Sequence, residues 1–218
     1  MKIALIIVAA GSGKRFGSKK QFELIGKKKV IELTVQKFLS ITEINNIVVV
    51  LPKEDIKKNV VAYFNLRSFR IKIIPGGKTR QHSVFNGLST LSSDTDIVLI
   101  HDGVRPFVSE KIIKDSISAA KKYGACVVAV SVKDTVKITK NGFVVSTPER
   151  KNIFLAQTPQ TFKYSLIMKA YKKAFKEKYF STDDSALVEK LDEKVKIVSG
   201  DYKNIKITTK DDLKSLMC

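Results

Sequence analysis

IALIIVAAGSGKRFGSKKQF, Ile3 to Phe22, is the stretch on which the fold turns. An unbroken apolar run of strand-forming residues ends in Gly11 and Gly13 and passes at once into Lys14, Arg15, Lys19 and Lys20. A strand that is apolar on both faces belongs inside a sheet covered by helices. Glycines at its end let backbone N–H groups wrap phosphate oxygens, and the cations that follow suit the same anion. Three phosphate-binding designs begin in this way. The dinucleotide fingerprint G-x-G-x-x-G fails because Gly17 comes one residue too late, and the second strand ends in Leu51-Pro52-Lys53 without a carboxylate for the ribose. The Walker spacing fails too, since Gly17 is followed by Ser18-Lys19. A nucleotidyltransferase loop survives, alongside a plain strand–helix turn with solvated lysines.

Outward from this strand, apolar runs alternate with helical spacing. Ile47–Leu51, Ile71–Ile74, Ile97–Ile100 and Cys126–Val132 read as buried strands; Val30–Phe38, Asp55–Phe64, Gln81–Leu91 and Ser109–Tyr123 read as helices. The alternation predicts βαβ units and a mostly parallel sheet with ligands at the carboxyl ends of its strands. It lapses over Asp134–Arg150, where alternating residues around Asn141-Gly142 predict a β-hairpin arm. Helices over Lys163–Phe180 and Asp183–Leu191, strands near Val195–Val198 and Ile205–Ile207 and a last helix capped by Thr209 and Asp212 complete the expectation. With no repeat and no linker, the chain reads as a single domain over 1–218 with an arm over about 134–152.

The net charge is +19, carried by 34 Lys and 6 Arg spread along 218 residues. Nucleic-acid sites favour arginine and cluster it on one face, so the lysines read as a solvating surface that steers polyanions, with no nucleic-acid partner. No apolar run reaches the roughly 18 residues of a membrane span. The opening run has no small-residue cleavage site, and a cytoplasmic protein is expected. Cys126 and Cys218 form neither a disulfide framework nor a metal cluster; Cys126 reads as a core residue.

Further polar clusters follow the strands. GGKTRQHSVFNGL (Gly76–Leu88) offers open backbone at Gly77 and a hydroxyl at Ser83, at the start of a helix, as a ligand group or a structural cap. LIHDGVRPF (Leu99–Phe107) puts Asp102 at a strand end, suited to Mg²⁺ or a sugar hydroxyl, with Arg105 suited to phosphate; an Asp–Arg salt bridge is the other reading. His101 reads as a hydrogen-bonded strand-end residue. Thr158-Pro159 reads as a turn, Thr182 or Asp183 as a helix cap, and Lys206 as a strand residue directed into a cleft.

AAGSGKRFGSKKQF, GGKTRQHSV, HDGVRPF, DTVK, AQTPQTF, TDDSA and NIKITTKDDL together resemble, in order and spacing, the 2-C-methyl-D-erythritol 4-phosphate cytidylyltransferases nearly end to end. The resemblance implies an α/β, Rossmann-like, mostly parallel sheet flanked by helices, in a homodimer whose arms reach between subunits. It implies cytidylyl transfer from CTP to a polyol phosphate with Mg²⁺, releasing pyrophosphate. By position, Arg15, Lys20 and Lys206 match catalytic residues. Ala9, Ala10, Gly11, Gly13, Gly77, Ser83 and Gly103 match nucleotide-binding positions. Asp102, Arg105, Thr135, Arg150, Thr158 and Thr182 match substrate positions, with Asp102 also a metal ligand and Arg150 serving the partner subunit. Ribitol-5-phosphate cytidylyltransferases resemble the chain almost as well, and the valine before Arg105 leans toward them. Lys19 stands where the family pattern has proline, a change expected to loosen the loop, and Lys78 replaces a commonly acidic residue.

Overall fold

The computed structural model describes residues 1–13, 16–56 and 71–215. Lys14, Arg15, most of the helix expected over Asp55–Phe64 and residues 216–218 lie outside them. The opening run forms strand β1 (Ile3–Val8), and the short pair β2 (Leu24–Ile25) and β3 (Lys28–Lys29) leads into helix α1 (Val30–Leu39). There follow β4 (Ile44–Leu51), the helical turn α2 (Lys53–Ile56), β5 (Ile71–Pro75), α3 (Arg80–Leu88), β6 (Ile97–Asp102), α4 (Glu110–Tyr123) and β7 (Ala125–Ser131). The chain then forms the hairpin strands β8 (Ile138–Lys140) and β9 (Phe143–Ser146), then β10 (Phe154–Lys163), α5 (Tyr164–Lys176), α6 (Ser185–Glu189), β11 (Lys196–Ser199) and α7 (Lys210–Lys214).

The main sheet has seven strands in the order β11-β7-β10-β6-β1-β4-β5, parallel except for β10. Side chains alternate across a strand. Ile3, Leu5 and Ile7 therefore pack on one face against α1 and α4, while Ala4 and Ile6 pack on the other against α3 and α5. Burial of both faces explains why β1 is apolar at every position. Successive crossovers leave β1 in opposite directions, toward β4 on one side and β6 on the other. The topological switch point, where sheets of this kind bind ligands, thus lies between β1 and β6.

Three expectations change. Thr158-Pro159 is no loop turn: residues Phe154–Lys163 form β10, antiparallel between β6 and β7, with a cis Thr158-Pro159 bond where the register shifts between Ala156 and Gln160. Ile205–Ile207 pairs into no strand; it is held by Ile207 N–H donating to Val104 O at 3.0 Å. The helix expected to reach Phe180 ends at Lys176. The hairpin has the expected centre, Asn141 and Gly142 both taking positive φ (51° and 83°), the geometry an Asn-Gly turn supplies. Thr209 and Asp212 cap α7 reciprocally. Cys126 is buried, its thiol pushed up to about 12 by desolvation. Among the described residues no helix is long and apolar enough to cross a membrane.

Candidate active site

At the switch point Val8 and Asp102 lie opposite each other in register, at the ends of β1 and β6. A cavity of 480 Å³ opens over them. Val8 to Ser12 line one side; Lys20, Gly77, Lys78, Arg80, Ser83 and Lys206 line the rest with Asp102. A smaller cavity of 80 Å³ shares Arg80, Asp102 and Lys206 with the first and adds Arg105, Thr158, Thr182 and Asp183. Lysines 20, 78 and 206 and Arg80 face a single carboxylate, Asp102, among the described lining residues of the larger space. That balance favours a polyanion.

Asp102 is the centre of the charge network. Lys206 Nζ lies 2.8 Å and Arg105 Nε 3.6 Å from its Oδ2, and Arg80 Nε 3.4 Å from Oδ1. Burial disfavours its charge, but Arg80, Lys206 and Arg105 more than offset this and hold the carboxyl well below the usual carboxylate range. Arg80 continues inward: its Nη2 donates to Asp184 Oδ2 at 2.7 Å, and the buried Tyr171 hydroxyl donates to the other oxygen at 2.5 Å. Burial opposes the Arg80 charge as well, yet Asp184 and Asp102 raise its pKa well above the ordinary arginine value. An arginine in the first turn of a helix sits at the unfavourable end of the dipole. That misplacement is the signal in the sequence for Arg80.

Behind Asp102 lies a neutral relay. Asp102 N–H donates to Thr158 Oγ1 at 3.1 Å, and Thr158 Oγ1 lies 3.0 Å from His101 Nδ1. His101 Nε2 lies 3.1 Å from Arg105 O. A carbonyl only accepts, so Nε2 carries the proton and Nδ1 accepts from the Thr158 hydroxyl. Burial pushes the His101 pKa down to about 4. The unfolded chain takes up this proton near pH 6.5 and the folded one only near 4. Full stability is therefore present above pH 6.5 and is lost as pH falls toward 4, by about 3 kcal/mol. Urea titrations at pH 7 and 4.5 are expected to show this loss in the native protein and not in His101→Gln; an equal loss in both would dismiss the assignment.

The glycine loop is tied down at several points. Gly13 takes φ +71° and a Cβ there would lie 1.7 Å from Ser18 O, so the turn admits no side chain. Phe16 is buried with Val30, Val104 and Ile207. Gln21 Nε2 donates to Gly11 O at 3.2 Å, and Ser18 Oγ donates to Glu23 at 2.5 Å. Lys20 opens a 3-10 turn, Lys20–Phe22. Lys19, where a looser loop is expected, has its Nζ paired with Asp55 at 2.7 Å and Glu54 at 3.0 Å.

The structure brings together Ala9, Ala10, Gly11, Gly77, Ser83, Lys20, Asp102 and Lys206 around the larger cavity, and Arg105, Thr158 and Thr182 around the smaller. Gly13 and Gly103 line neither; a Cβ on Gly103 would lie 2.7 Å from Ala9 Cβ, so Gly103 permits the close approach of the two strand ends. Ser83 is neither cap nor outward-facing. Thr79 caps α3, and the buried Ser83 hydroxyl accepts from Gly77 N–H at 3.0 Å, fixing the open backbone at the cavity wall. Asp183, not Thr182, serves the start of α6 by accepting from Ala186 N–H. Thr135 and Arg150 lie at the foot of the hairpin and line neither cavity, Arg150 donating to Lys133 O at 3.0 Å. Arg15 falls outside the described residues.

Comparison with known proteins agrees with this geometry. Over residues 3–216 the sequence matches the family described as IspD, 2-C-methyl-D-erythritol 4-phosphate cytidylyltransferase. The curated protein of that name from Clostridioides difficile is 49% identical over 215 residues, covering 96% of this chain and 90% of the relative. Its counterpart from Clostridium perfringens strain SM101 is 47% identical over 219 residues, covering 97% and 96%. The crystal structure of 4-diphosphocytidyl-2C-methyl-D-erythritol synthase from Anaerococcus prevotii superposes with a TM-score of 0.90 at 39% identity, covering 99% of this chain and 94% of the other. An end-to-end match in sequence, joined to the same fold around a cationic switch-point cavity, places the chain in the 2-C-methyl-D-erythritol 4-phosphate cytidylyltransferase family.

Proposed function

We propose that the protein transfers the cytidylyl group of CTP to 2-C-methyl-D-erythritol 4-phosphate, forming 4-diphosphocytidyl-2-C-methyl-D-erythritol and pyrophosphate. The observation that carries this reading is the pair of joined cavities. The larger is lined on one side by the segment Val8–Ser12 and walled by cations, as a triphosphate requires; the smaller adds Arg105, a largely buried cation that pairs with Asp102 at 3.6 Å. A phosphate oxygen of the acceptor attacks the α-phosphorus of CTP; the new P–O bond forms as the bond to pyrophosphate breaks. Two polyanions must meet, so the chain's work is positioning and neutralisation. Lys20 and Arg15 would serve the triphosphate, and Lys206 and Arg105 the attacking phosphate. No side-chain nucleophile or base is required. The matching relatives carry the methylerythritol name, which favours that acceptor over ribitol 5-phosphate.

Asp102 is the one carboxylate among the described residues lining the larger cavity, and no cluster of three His, Cys, Asp or Glu able to hold a metal exists among them. That donor set fits Mg²⁺ carried in by the nucleotide, which takes one or two carboxylates and completes its shell with phosphates and water. Asp102 would hold it. Bound there, Mg²⁺ would neutralise charge on the triphosphate. The test is to incubate the protein with CTP and Mg²⁺, offer each polyol phosphate separately and measure pyrophosphate. Release is expected with methylerythritol phosphate; none with either acceptor would reject the assignment.

The chain would act as one nucleotidyltransferase domain whose arm joins two subunits. Ile138, Phe143, Val144, Val145, Phe154 and Leu155 on and beside the hairpin are exposed, Phe143 at 79%. A lone hairpin gains little on its own, and an apolar one asks for cover. Light scattering at micromolar concentration is expected to give the mass of two chains, and Phe143→Asp with Val145→Asp half of it. A monomeric native protein would remove the arm's role and, with it, that of Arg150 in the partner's site.

A further inference from the structure

The loop that carries Lys20 is tied to its own base by Gln21 and to the small apolar cluster by Phe16. Gln21 belongs to the 3-10 turn, which begins without a side-chain cap. A tie to a different element comes from Lys19, the residue just before the turn. Its side chain, 34% exposed, sets the ammonium between Asp55, 8% exposed, and the more open Glu54, at 2.7 and 3.0 Å, reaching α2 beyond the end of β4. Lys19 lines neither ligand cavity. Glu54 does line a recess of 190 Å³ that shares Ala10, Ser12 and Gly77 with the larger one. Without Lys19, the nearly buried Asp55 would lose this ion-pair partner beside the place expected for a triphosphate.

We propose that Lys19 is a positioning residue, whose ion pairs with Asp55 and Glu54 hold the turn bearing Lys20 in the place where it meets the nucleotide. The inference rests on Lys20 acting on CTP as argued above. A partly exposed ion pair of this kind shifts a loop equilibrium by a modest factor, about five-fold. Saturating CTP would draw the loop back into place, so the cost falls on KM and not on kcat. The backbone offers a second way to hold the turn. Lys19 has φ −75°, within the range a proline ring imposes, and its N–H is not among the backbone hydrogen bonds that hold the loop.

The experiment compares Lys19→Met, Asp55→Asn and Lys19→Pro with the native protein, by amide hydrogen exchange without ligand and by steady-state kinetics. The reporting amides are those of Lys20, Phe22 and Glu23, which donate to Ser18, Lys19 and Lys20 carbonyls. In Lys19→Met and Asp55→Asn these amides are expected to exchange about five-fold faster, with KM for CTP raised about five-fold and kcat within about two-fold. Amides of β1 and β6 stay as they were. Lys19→Pro is expected to return both readings to the native values. Unchanged exchange in Lys19→Met would overturn the proposal, as would faster exchange throughout the sheet. A KM defect that proline does not repair and Asp55→Asn does not share would make Lys19 a direct nucleotide contact instead. If the native protein turns over no CTP, the functional reading fails, while the exchange data still decide whether Lys19 holds the turn.

Discussion

Arg80→Gln is expected to lower stability by about 3–5 kcal/mol, the usual cost of stripping a buried ion of its partner. Asp184 is 1% exposed in its side chain, and Arg80 is its counter-charge at 2.7 Å. Glutamine leaves the carboxylate with the Tyr171 hydroxyl and no cation beside it. An unpaired buried carboxylate has its pKa raised, and a group raised in the folded state adds stability below its unfolded pKa and loses it as pH rises. The deficit of the variant should therefore shrink on acidification, while the native protein loses stability over the same range through His101. Urea denaturation at several pH values reads both trends. A deficit under about 1 kcal/mol at pH 7 would mean that Asp184 finds another partner. Pairing Arg80→Met with Asp184→Leu is expected to restore much of the stability, since a buried ion pair is often replaceable by apolar packing. It would not restore turnover, because Arg80 also faces Asp102 in both cavities.

Lys20→Ala should lower turnover by about 10²–10³ with the fold intact, the loss typical when one charge-stabilising donor is removed from a preorganised site. The residue lines the larger cavity from a turn tied by Gln21 to Gly11 O and flanked by the Ser18–Glu23 hydrogen bond. Its contribution is expected in kcat as well as in CTP affinity, because charge on the departing pyrophosphate grows only as the reaction proceeds. Near-normal turnover at saturating CTP, with an unchanged melting temperature, would take Lys20 out of the reaction. The contrast with Lys19 is sharp. Neighbouring lysines of equal charge are assigned different kinetic signatures, one that includes kcat and one confined to KM.

What the sequence made legible follows from where local pattern and final burial coincide. β1, β4, β6 and β7 are buried on both faces, so their apolar runs announce them. β10 was hidden because its core-facing positions are polar: Gln157, Thr158, Gln160 and Thr161 are all buried and hydrogen-bonded, and a proline sits among them. Pattern reading takes such residues for a turn; only the gap between β6 and β7 makes them a strand. Ser83 was legible as a site position, but the inward turn of its hydroxyl to Gly77 was not. Arg80 escaped notice because its partners, Asp102 and Asp184, are remote in sequence, 104 residues away in the latter case. Lys206 was placed in the cleft for a reason that did not survive. It reaches Asp102 from an irregular segment pinned at Ile207, not from a strand face. Positions named one at a time from motifs thus largely gathered at the switch point, whereas the charge network that joins them had no local signature.

If the two cavities hold nucleotide and acceptor as proposed, the wall common to both, built from Arg80, Asp102 and Lys206, would make the two ligands thermodynamically dependent. Whatever one ligand does to the charge balance on Asp102, the other meets on arrival. Such coupling is reciprocal: if bound nucleotide changes acceptor affinity by some factor, bound acceptor changes nucleotide affinity by the same factor. Affinities measured with one ligand alone would then describe a different wall from the one that operates during turnover, and one coupling factor would relate both dissociation constants to their values in the ternary complex.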